Sequence, residues 1–401
     1  MEFMGYKRPD GSVGIRNHVA VISSGRCGNE LAAIIADAVS GAVPVLHTHP
    51  CVRLGDDNTI ALRFLSGTGS HPNAAAALVV GIGCENPSPG RIGEEIARAN
   101  RQVEVLTIQE SKGYQDFMDR GMSIARRMVA EASRIQRKPF PISYLTLGVK
   151  CGGSSAVSGI AGNLVTGMVF DRLIAEGGTA IFSETTEVIG ADHLLVKRAV
   201  NEEVARKFRE MVDRHEAVIK ATGEDIRGTQ PTRGNIAGGL TTIEEKSLGA
   251  LSKTGTSPLQ GVLEHAEKPE GKGLYFMDGS AQTSELISGE MAAGAHIHIY
   301  STGGGITSSF RCTAGWGGEM PIIIPQIAVV SRQSTPWDSQ EKDFFDIYAD
   351  TIIEGTESVE EVADRFFNEI IAVASGKLTR REMRKSGYRE PIVLYSTGPI
   401  L

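Results

Sequence analysis

Cys151 ends an apolar run and opens VKCGGSSAVSGIAGN (149–163), a stretch with almost no side-chain bulk. Small residues let a backbone approach a ligand closely. Two more cysteines share that context: Cys27 follows VAVISSGR and Cys84 follows LVVGIG, as Cys151 follows LTLGVK. Each sits just past the carboxyl end of a predicted strand and ahead of a helix. That edge of an open parallel sheet is where ligands bind, and a helix N-terminus draws a thiol toward thiolate, the form that holds metal. LHTHPC adds His47, His49 and Cys51 at a fourth strand end. In an extended chain His47 and His49 point the same way. Such a pair suits a metal, or one packed and one solvated imidazole. SETTEVIGADH (183–193) supplies Glu184, Glu187 and His193. Glu187 would fall in the first turn of a helix opening near Thr186, where an acid also complements the dipole.

These residues need a frame, and the chain alternates strand-like and helix-like segments. NHVAVISS (17–24), AVPVLHTH (42–49), AALVVGIG (76–83) and VEVLTIQE (103–110) read as strands, with helical periodicity between them and a long amphipathic helix after the last. Such alternation implies βαβ crossovers and parallel sheets. KPFP (138–141) is read as a boundary between a first α/β domain, 1–138, and a second, 139–401. The pattern restarts with SYLTLGVK, then a helix, TAIFSET, and one helix over ADHLLVKRAVNEEVARKFREMVDRHEAVIKAT. Residues 223–260 are loop-rich and read as an ordered excursion bearing function. GLYFMDG, AHIHIYSTGGG and PIIIPQIAVVS are predicted strands, followed by a helix near 339–375 and a basic segment, KLTRREMRKSGYRE, read as a solvated face. The fold class expected is α/β, with Rossmann-like parallel-sheet units in tandem.

Composition narrows the function. The chain has 401 residues, 41% hydrophobic and 22% charged, which suits a large core and argues against disorder. A net charge of −7 disfavours nucleic acid and anionic membrane as partners. No leader and no bilayer-length apolar run is evident, so a cytoplasmic protein is expected. The five cysteines, Cys27, Cys51, Cys84, Cys151 and Cys312, are odd in number and widely spaced, unlike a disulfide framework. No phosphate loop occurs, and no G-x-G-x-x-G follows a strand with an acid about 20 residues on. That speaks against a nicotinamide oxidoreductase.

With these pieces placed, the sequence resembles the altronate/galactarate dehydratase family along nearly its whole length. The resemblance rests on GYKRPDGSVGIRNHV, HPNAAAALVVGIGCE, KCGGSSAVSGIAGN, GGTAIFSETTEVIGADHLL, GNIAGGLTTIEEKSLGAL and STGGG. The large subunit of sulfolactate sulfo-lyase is a relative within it. The resemblance implies a hydro-lyase that breaks a C–O bond beta to a carboxylate, with a divalent metal, Fe2+ first and Mn2+ or Mg2+ as alternatives. It also implies a small β-rich N-terminal domain, here expected as a separate subunit, and a homo-oligomer. Two departures bear on the substrate. The family's CGGSD is CGGSS here, with Ser155 in place of the acid, and its TTGRG arginine is Gly304. Losing that cation weighs against an aldaric acid.

Dehydration of a 2,3-dihydroxy acid needs the C2 proton removed beside a carboxylate and the resulting negative charge stabilised. The expected metal ligands are His47, His49, Cys84, Cys151 and Cys27. Lys150, Glu184, Glu187 and His49 are the catalytic candidates, with the base either Lys150 or a histidine. Gly152, Gly153 and Ser154 would offer N–H groups and a hydroxyl to the substrate carboxylate, joined by Asn163, while Asn235 and Lys246 close over it. Alternatives are an iron–sulfur cluster on the strand-end thiolates Cys27, Cys84 and Cys151, a sulfo-lyase large subunit that releases sulfite and pyruvate, and a non-catalytic subunit needing a small partner.

Overall fold

The computed structural model describes residues 1–304, 323–332, 345–383 and 391–397. Cys312, Gly305 of the STGGG block, the first residues of the helix expected near 339–375, and residues 384–390 of the basic segment lie outside them. In chain order the strands are β1 (Glu2–Lys7), β2 (Val13–Gly14), β3 (His18–Ser23), β4 (Ala42–Val45), β5 (Ala74–Gly81), β6 (Gln102–Thr107), β7 (Lys138–Pro141), β8 (Thr146–Gly152), β9 (Thr179–Phe182), β10 (Leu259–Leu263), β11 (Gly273–Met277), β12 (Ile297–Thr302), β13 (Gln326–Val330) and β14 (Ile347–Tyr348).

The fold is mixed α/β with two parallel sheets. The first has the order β4-β3-β5-β6, so the chain runs outward from β3 to β4 and then doubles back across β3 to β5. Its central strands are continuous apolar runs because both faces are covered. Val19, Val21 and Leu78 pack under the helices Asn29–Asp37 and Tyr114–Ala132. Ala20, Ile22 and Val79 face Phe64, Leu65, Ile92 and Ile96, from the helices Gly55–Gly69 and Pro89–Arg98. That second apolar layer also takes in Leu286, Ile287 and Met291 of helix Thr283–Ala292, which ties the first sheet to the rest of the chain.

The second sheet has seven parallel strands in the order β10-β11-β9-β8-β12-β13-β14. Its middle strand, β8, is flanked by β9 and β12, so the loops after these strands converge on the residues that follow Cys151. A small antiparallel sheet, β2-β1-β7, makes use of KPFP: residues 138–141 pair with Glu2–Gly5 as an edge strand, the position where proline is tolerated. The single helix expected over 191–222 is two, Asp192–Arg198 and Glu202–Ala221. Asn201 accepts from Val204 N at 2.9 Å and restarts the helix, with Glu202 and Glu203 in the new first turn. The break lets Ala199 bridge to Leu259 at the sheet edge. Residues 223–260 carry helices Ile226–Thr229, Arg233–Ala237 and Ile243–Leu251 and a 3-10 turn, Ser252–Thr254. The stretch 391–397 returns to the first sheet, where Ile392 bridges His47 and the Tyr395 carbonyl accepts from Arg53 at 2.8 Å.

Candidate active site

The carboxyl end of β8 presents Lys150, Cys151 and Gly152, and the end of adjacent β9 leads into Ser183 and Glu184. Glu184 is fully buried and holds φ at +75°, a left-handed conformation that costs about 1 kcal/mol or more for a non-glycine residue. Its carboxylate is what makes that conformation worthwhile. Oε1 accepts from Lys150 Nζ at 3.0 Å, and Oε2 accepts from the Cys151 amide at 2.9 Å and from Lys253 Nζ at 2.5 Å. Lys253 comes from the 3-10 turn that ends the 223–260 segment. Glu187 lies one turn further on, with Oε1 3.3 Å from Lys246 Nζ and Oε2 3.8 Å from Lys253 Nζ. Its Oε2 has no hydrogen-bond partner although it is buried.

Electrostatics set the protonation states. Burial pushes the Glu184 carboxyl up, but Lys150 and Lys253 outweigh it and hold the group at about 2. Burial pushes both lysines down, and Glu184, with Glu187 and other neighbours, together outweighs that and raises them above the ordinary lysine value. Lys150, Lys253, Glu184 and Glu187 are buried, and Lys246 nearly so. Three ammonium groups therefore stand against two carboxylates, a surplus of one positive charge. Burial, then the Glu187 charge, raises the Cys151 thiol, which favours its neutral form.

The loop after Cys151 is built by close approach. A Cβ on Gly152 would lie 2.0 Å from the Tyr300 hydroxyl, and Gly153 takes φ +56°. Ser154 Oγ lies 3.1 Å from Cys151 Sγ. Asn163 is clamped on both ends of its amide: Oδ1 accepts from Ser301 Oγ at 2.7 Å, and Nδ2 donates to the Gly249 carbonyl at 2.8 Å and faces Cys151 Sγ at 3.8 Å. Asn235 Nδ2 donates to the Ser154 carbonyl at 2.8 Å, and Lys246 Nζ to Gln230 Oε1 at 2.7 Å. A cavity of about 300 Å³ opens here, lined by Ser154, Ser158, Asn163, Lys246 and Gly249 among others. Ser155, where the family pattern has an acid, donates from Oγ to the Gly303 carbonyl at 3.5 Å. Gly304, where that pattern has arginine, sits at φ +86°, and a Cβ there would fall 1.7 Å from the Arg332 carbonyl oxygen.

Lys150, Cys151, Gly152, Gly153, Ser154, Asn163, Glu184, Glu187, Asn235 and Lys246 thus come together. The expected metal set does not. Cys27, His47, His49 and Cys84 stand at the edge of the first sheet, whereas Cys151 belongs to the second. His47 spends both ring nitrogens: Nε2 bonds the Ser23 carbonyl at 2.6 Å and Nδ1 accepts from the His49 amide at 3.2 Å. Burial lowers His47 to about 4; burial, then the neighbouring His47 and Arg53, lowers His49 to about 3, so both rings are neutral. His49 is not among the hydrogen-bond or ion-pair partners of Lys150, Glu184, Glu187 or Lys253. Among the described residues no group of three His, Cys, Asp or Glu side chains stands ready to hold an ion. His193 is exposed on helix Asp192–Arg198. Sequence reasoning missed Lys253, whose only local signal is its place two residues after the GNIAGGLTTIEEKSLGAL block.

A family model described as D-galactarate/Altronate dehydratase, C-terminal, matches residues 142–398, and one described as D-galactarate dehydratase/Altronate hydrolase, second domain, matches residues 5–133. The (2R)-sulfolactate sulfo-lyase subunit beta of Chromohalobacter salexigens is 34% identical over 390 residues, 97% of this chain and 96% of that protein. Altronate dehydratase of Bacillus subtilis is 30% identical, covering 100% of this chain and 78% of its own. Galactarate dehydratase (L-threo-forming) of Escherichia coli is 32% identical, covering 99% and 77%. With the buried site, these likenesses define an enzyme of the carbon–oxygen lyase type. The chain belongs to the D-galactarate/altronate dehydratase family. Among the described residues no helix is long and apolar enough to cross a membrane.

Proposed function

We propose that this chain dehydrates a sugar acid of the altronate or galactarate type to a 2-keto-3-deoxy acid, using the cluster around Glu184. The observation that carries this reading is the surplus of buried positive charge, three ammonium groups against two carboxylates, beside a small-residue loop and a cavity of about 300 Å³. A substrate carboxylate neutralises that surplus. The backbone of 152–154 and the Ser154 hydroxyl orient it. Glu187 Oε2, the carboxylate oxygen without a hydrogen bond, takes the C2 proton. The electron pair moves into the substrate carboxylate as an enediolate, which Lys150 and Lys253 stabilise in a water-poor site. Lys246, lining the cavity, protonates the C3 hydroxyl as it leaves as water. The enol product then tautomerises to the keto acid. Lys150 acts as a cation in this scheme, since Glu184 keeps it charged.

The family resemblance implies a divalent metal, but the residues at Glu184 do not fit one. Each Glu184 oxygen already accepts from an ammonium or amide N–H, and no histidine is among its partners. No step is routed through an ion there. A second reading, the sulfo-lyase large subunit acting with a small β-rich partner, is favoured by the 34% identity over 390 residues to the sulfo-lyase beta subunit. Incubation with altronate, galactarate or sulfolactate, with and without a small partner subunit, separates the readings. Keto-deoxy acid supports the first; sulfite with pyruvate replaces it with the second.

A further inference from the structure

The elimination leaves unused Arg8, Asp10 and Ser12 of the GYKRPDGSVGIRNHV block and His71–Asn73 of the HPNAAAALVVGIGCE block. They meet at the amino edge of the parallel sheets, whereas Glu184 stands at the carboxyl edge. A cavity of about 390 Å³ opens there, lined by Asp10, Ser12, Ser70, Lys268, Glu270 and Lys272 among others. Thr146 and Thr179, which begin β8 and β9, and His296, just before β12, form its far wall. The cavity therefore lies in the seam between the first sheet and the second. Buried polar side chains close that seam. Asn73 Nδ2 donates to the carbonyls of Ile323 at 2.9 Å and His296 at 3.3 Å. The His71 ring meets the Ala295 carbonyl at 3.0 Å, and the His296 ring the Val13 carbonyl at 2.9 Å. Burial lowers both histidines, His296 to about 4, so neither carries charge.

The charges at this seam do not balance. The Arg101 side chain is fully buried, and its Nη2 makes all of its contacts: Asp10 Oδ2 at 3.1 Å, the Ser70 carbonyl at 3.3 Å and Ser12 Oγ at 3.4 Å. Its Nε and Nη1 are buried without a hydrogen-bond partner among the described residues. Buried donors are ordinarily satisfied. Lys268 turns its ammonium inward to Ser70 Oγ at 2.8 Å, where burial, then the Arg101 charge, lowers it. The Lys272 ammonium donates to the Ser143 carbonyl at 2.6 Å. An ammonium has three N–H donors, so each lysine keeps others for a ligand. Arg8 donates from Nε to the Pro72 carbonyl at 2.7 Å, and Arg101 acts on it as a like charge. Asp10 is the acid that acts on both Arg101 and Lys268. Four cations, Arg8, Arg101, Lys268 and Lys272, thus stand against two acids, Asp10 and Glu270, a surplus of two positive charges. We propose that this cavity binds a small dianion between the Lys268 and Lys272 ammonium groups, balancing that surplus. Hydrogen phosphate and a short dicarboxylate share the required chemistry. Because its walls come from both sheets, an occupant stabilises the folded chain. The site is separate from the Glu184 cluster, so it stands or falls apart from the elimination reading.

The test titrates the full chain with hydrogen phosphate in one arm and malonate in the other, by calorimetry at matched ionic strength. The expected result is one dianion per chain in at least one arm. Phosphate alone makes the occupant a phosphate, and malonate alone makes it a dicarboxylate. Lys268→Met and Lys272→Met should each weaken that binding by about 10-fold or more, from loss of a charge-assisted hydrogen bond. Lys246→Met, at the Glu184 cavity, should leave it unchanged. The melting temperature of wild type should rise by about 3 °C at 100 times the dissociation constant, and that rise should vanish in the double variant Lys268→Met/Lys272→Met. Circular dichroism confirms that each variant is folded. The proposal is overturned if wild type binds neither dianion, or if the double variant binds at wild-type affinity and keeps the full rise.

Discussion

Lys253→Met probes the ion cluster where sequence gave least warning. The substitution keeps the side chain's length and removes its charge, leaving buried Glu184 with Lys150 as its remaining ammonium partner. In the wild type the surroundings hold Glu184 at about 2 against an ordinary 4.5. At about 1.4 kcal/mol per pKa unit, the ionised carboxylate is favoured by roughly 3 kcal/mol, net of burial. Two lysines supply most of that, so losing one should cost about 2 kcal/mol, below the roughly 3–5 kcal/mol of a fully broken buried pair because Lys150 still faces the carboxylate. The sign with pH follows. A carboxylate depressed in the folded state contributes stability above its unfolded value, near 4.5, and loses it as pH falls toward 2. Urea unfolding should therefore show wild type and Lys253→Met separated by about 2 kcal/mol at neutral pH and converging in acid. Adding Glu184→Gln to Lys253→Met should cost less than the sum of the single losses. Equal stability of Lys253→Met and wild type, or strict additivity in the double variant, would refute the ion-pair reasoning.

Further outcomes test the chemistry around it. Glu187→Gln should lower kcat by about 10²–10⁴-fold with little change in KM, as expected for loss of a proton acceptor; steady-state kinetics on the converted acid checks it. Gly304→Arg, which restores the family's arginine, should lower the melting temperature rather than broaden substrate range, because any Cβ meets the Arg332 carbonyl at 1.7 Å; the loss should exceed about 1 kcal/mol. Lys150 is raised by Glu184, so the stability it supplies is complete below 10.5 and is lost only above that. The melting-temperature gap between wild type and Lys150→Met should thus stay constant from about pH 7 to about pH 10.

Much of the frame is visible in the primary structure, because buried parallel strands such as VAVIS and AALVVG are uninterrupted apolar runs set between helical repeats. The same logic locates Lys150, Cys151 and Glu184, since strand ends in a parallel sheet are where side chains meet ligands. What local pattern does not encode is which strand ends share a sheet. Cys151 and Cys84 have the same sequence context, yet one ends the middle strand of seven and the other an inner strand of four. Lys253 was hidden for a related reason: a buried lysine is identified by its distant carboxylate partner, 69 residues away in sequence. The break in the helix expected over 191–222 depends on Asn201 capping and on a bridge to Leu259, and the second of these is tertiary.

The elimination itself is tested most directly by supplying altronate and galactarate in D2O and following the product by NMR. Proton abstraction at the Glu187 carboxylate predicts a 2-keto-3-deoxy acid carrying solvent deuterium at C3, and its loss in Glu187→Gln. Sugar acids left unconverted by the folded chain, or product formed at full rate by Glu187→Gln, would contradict it.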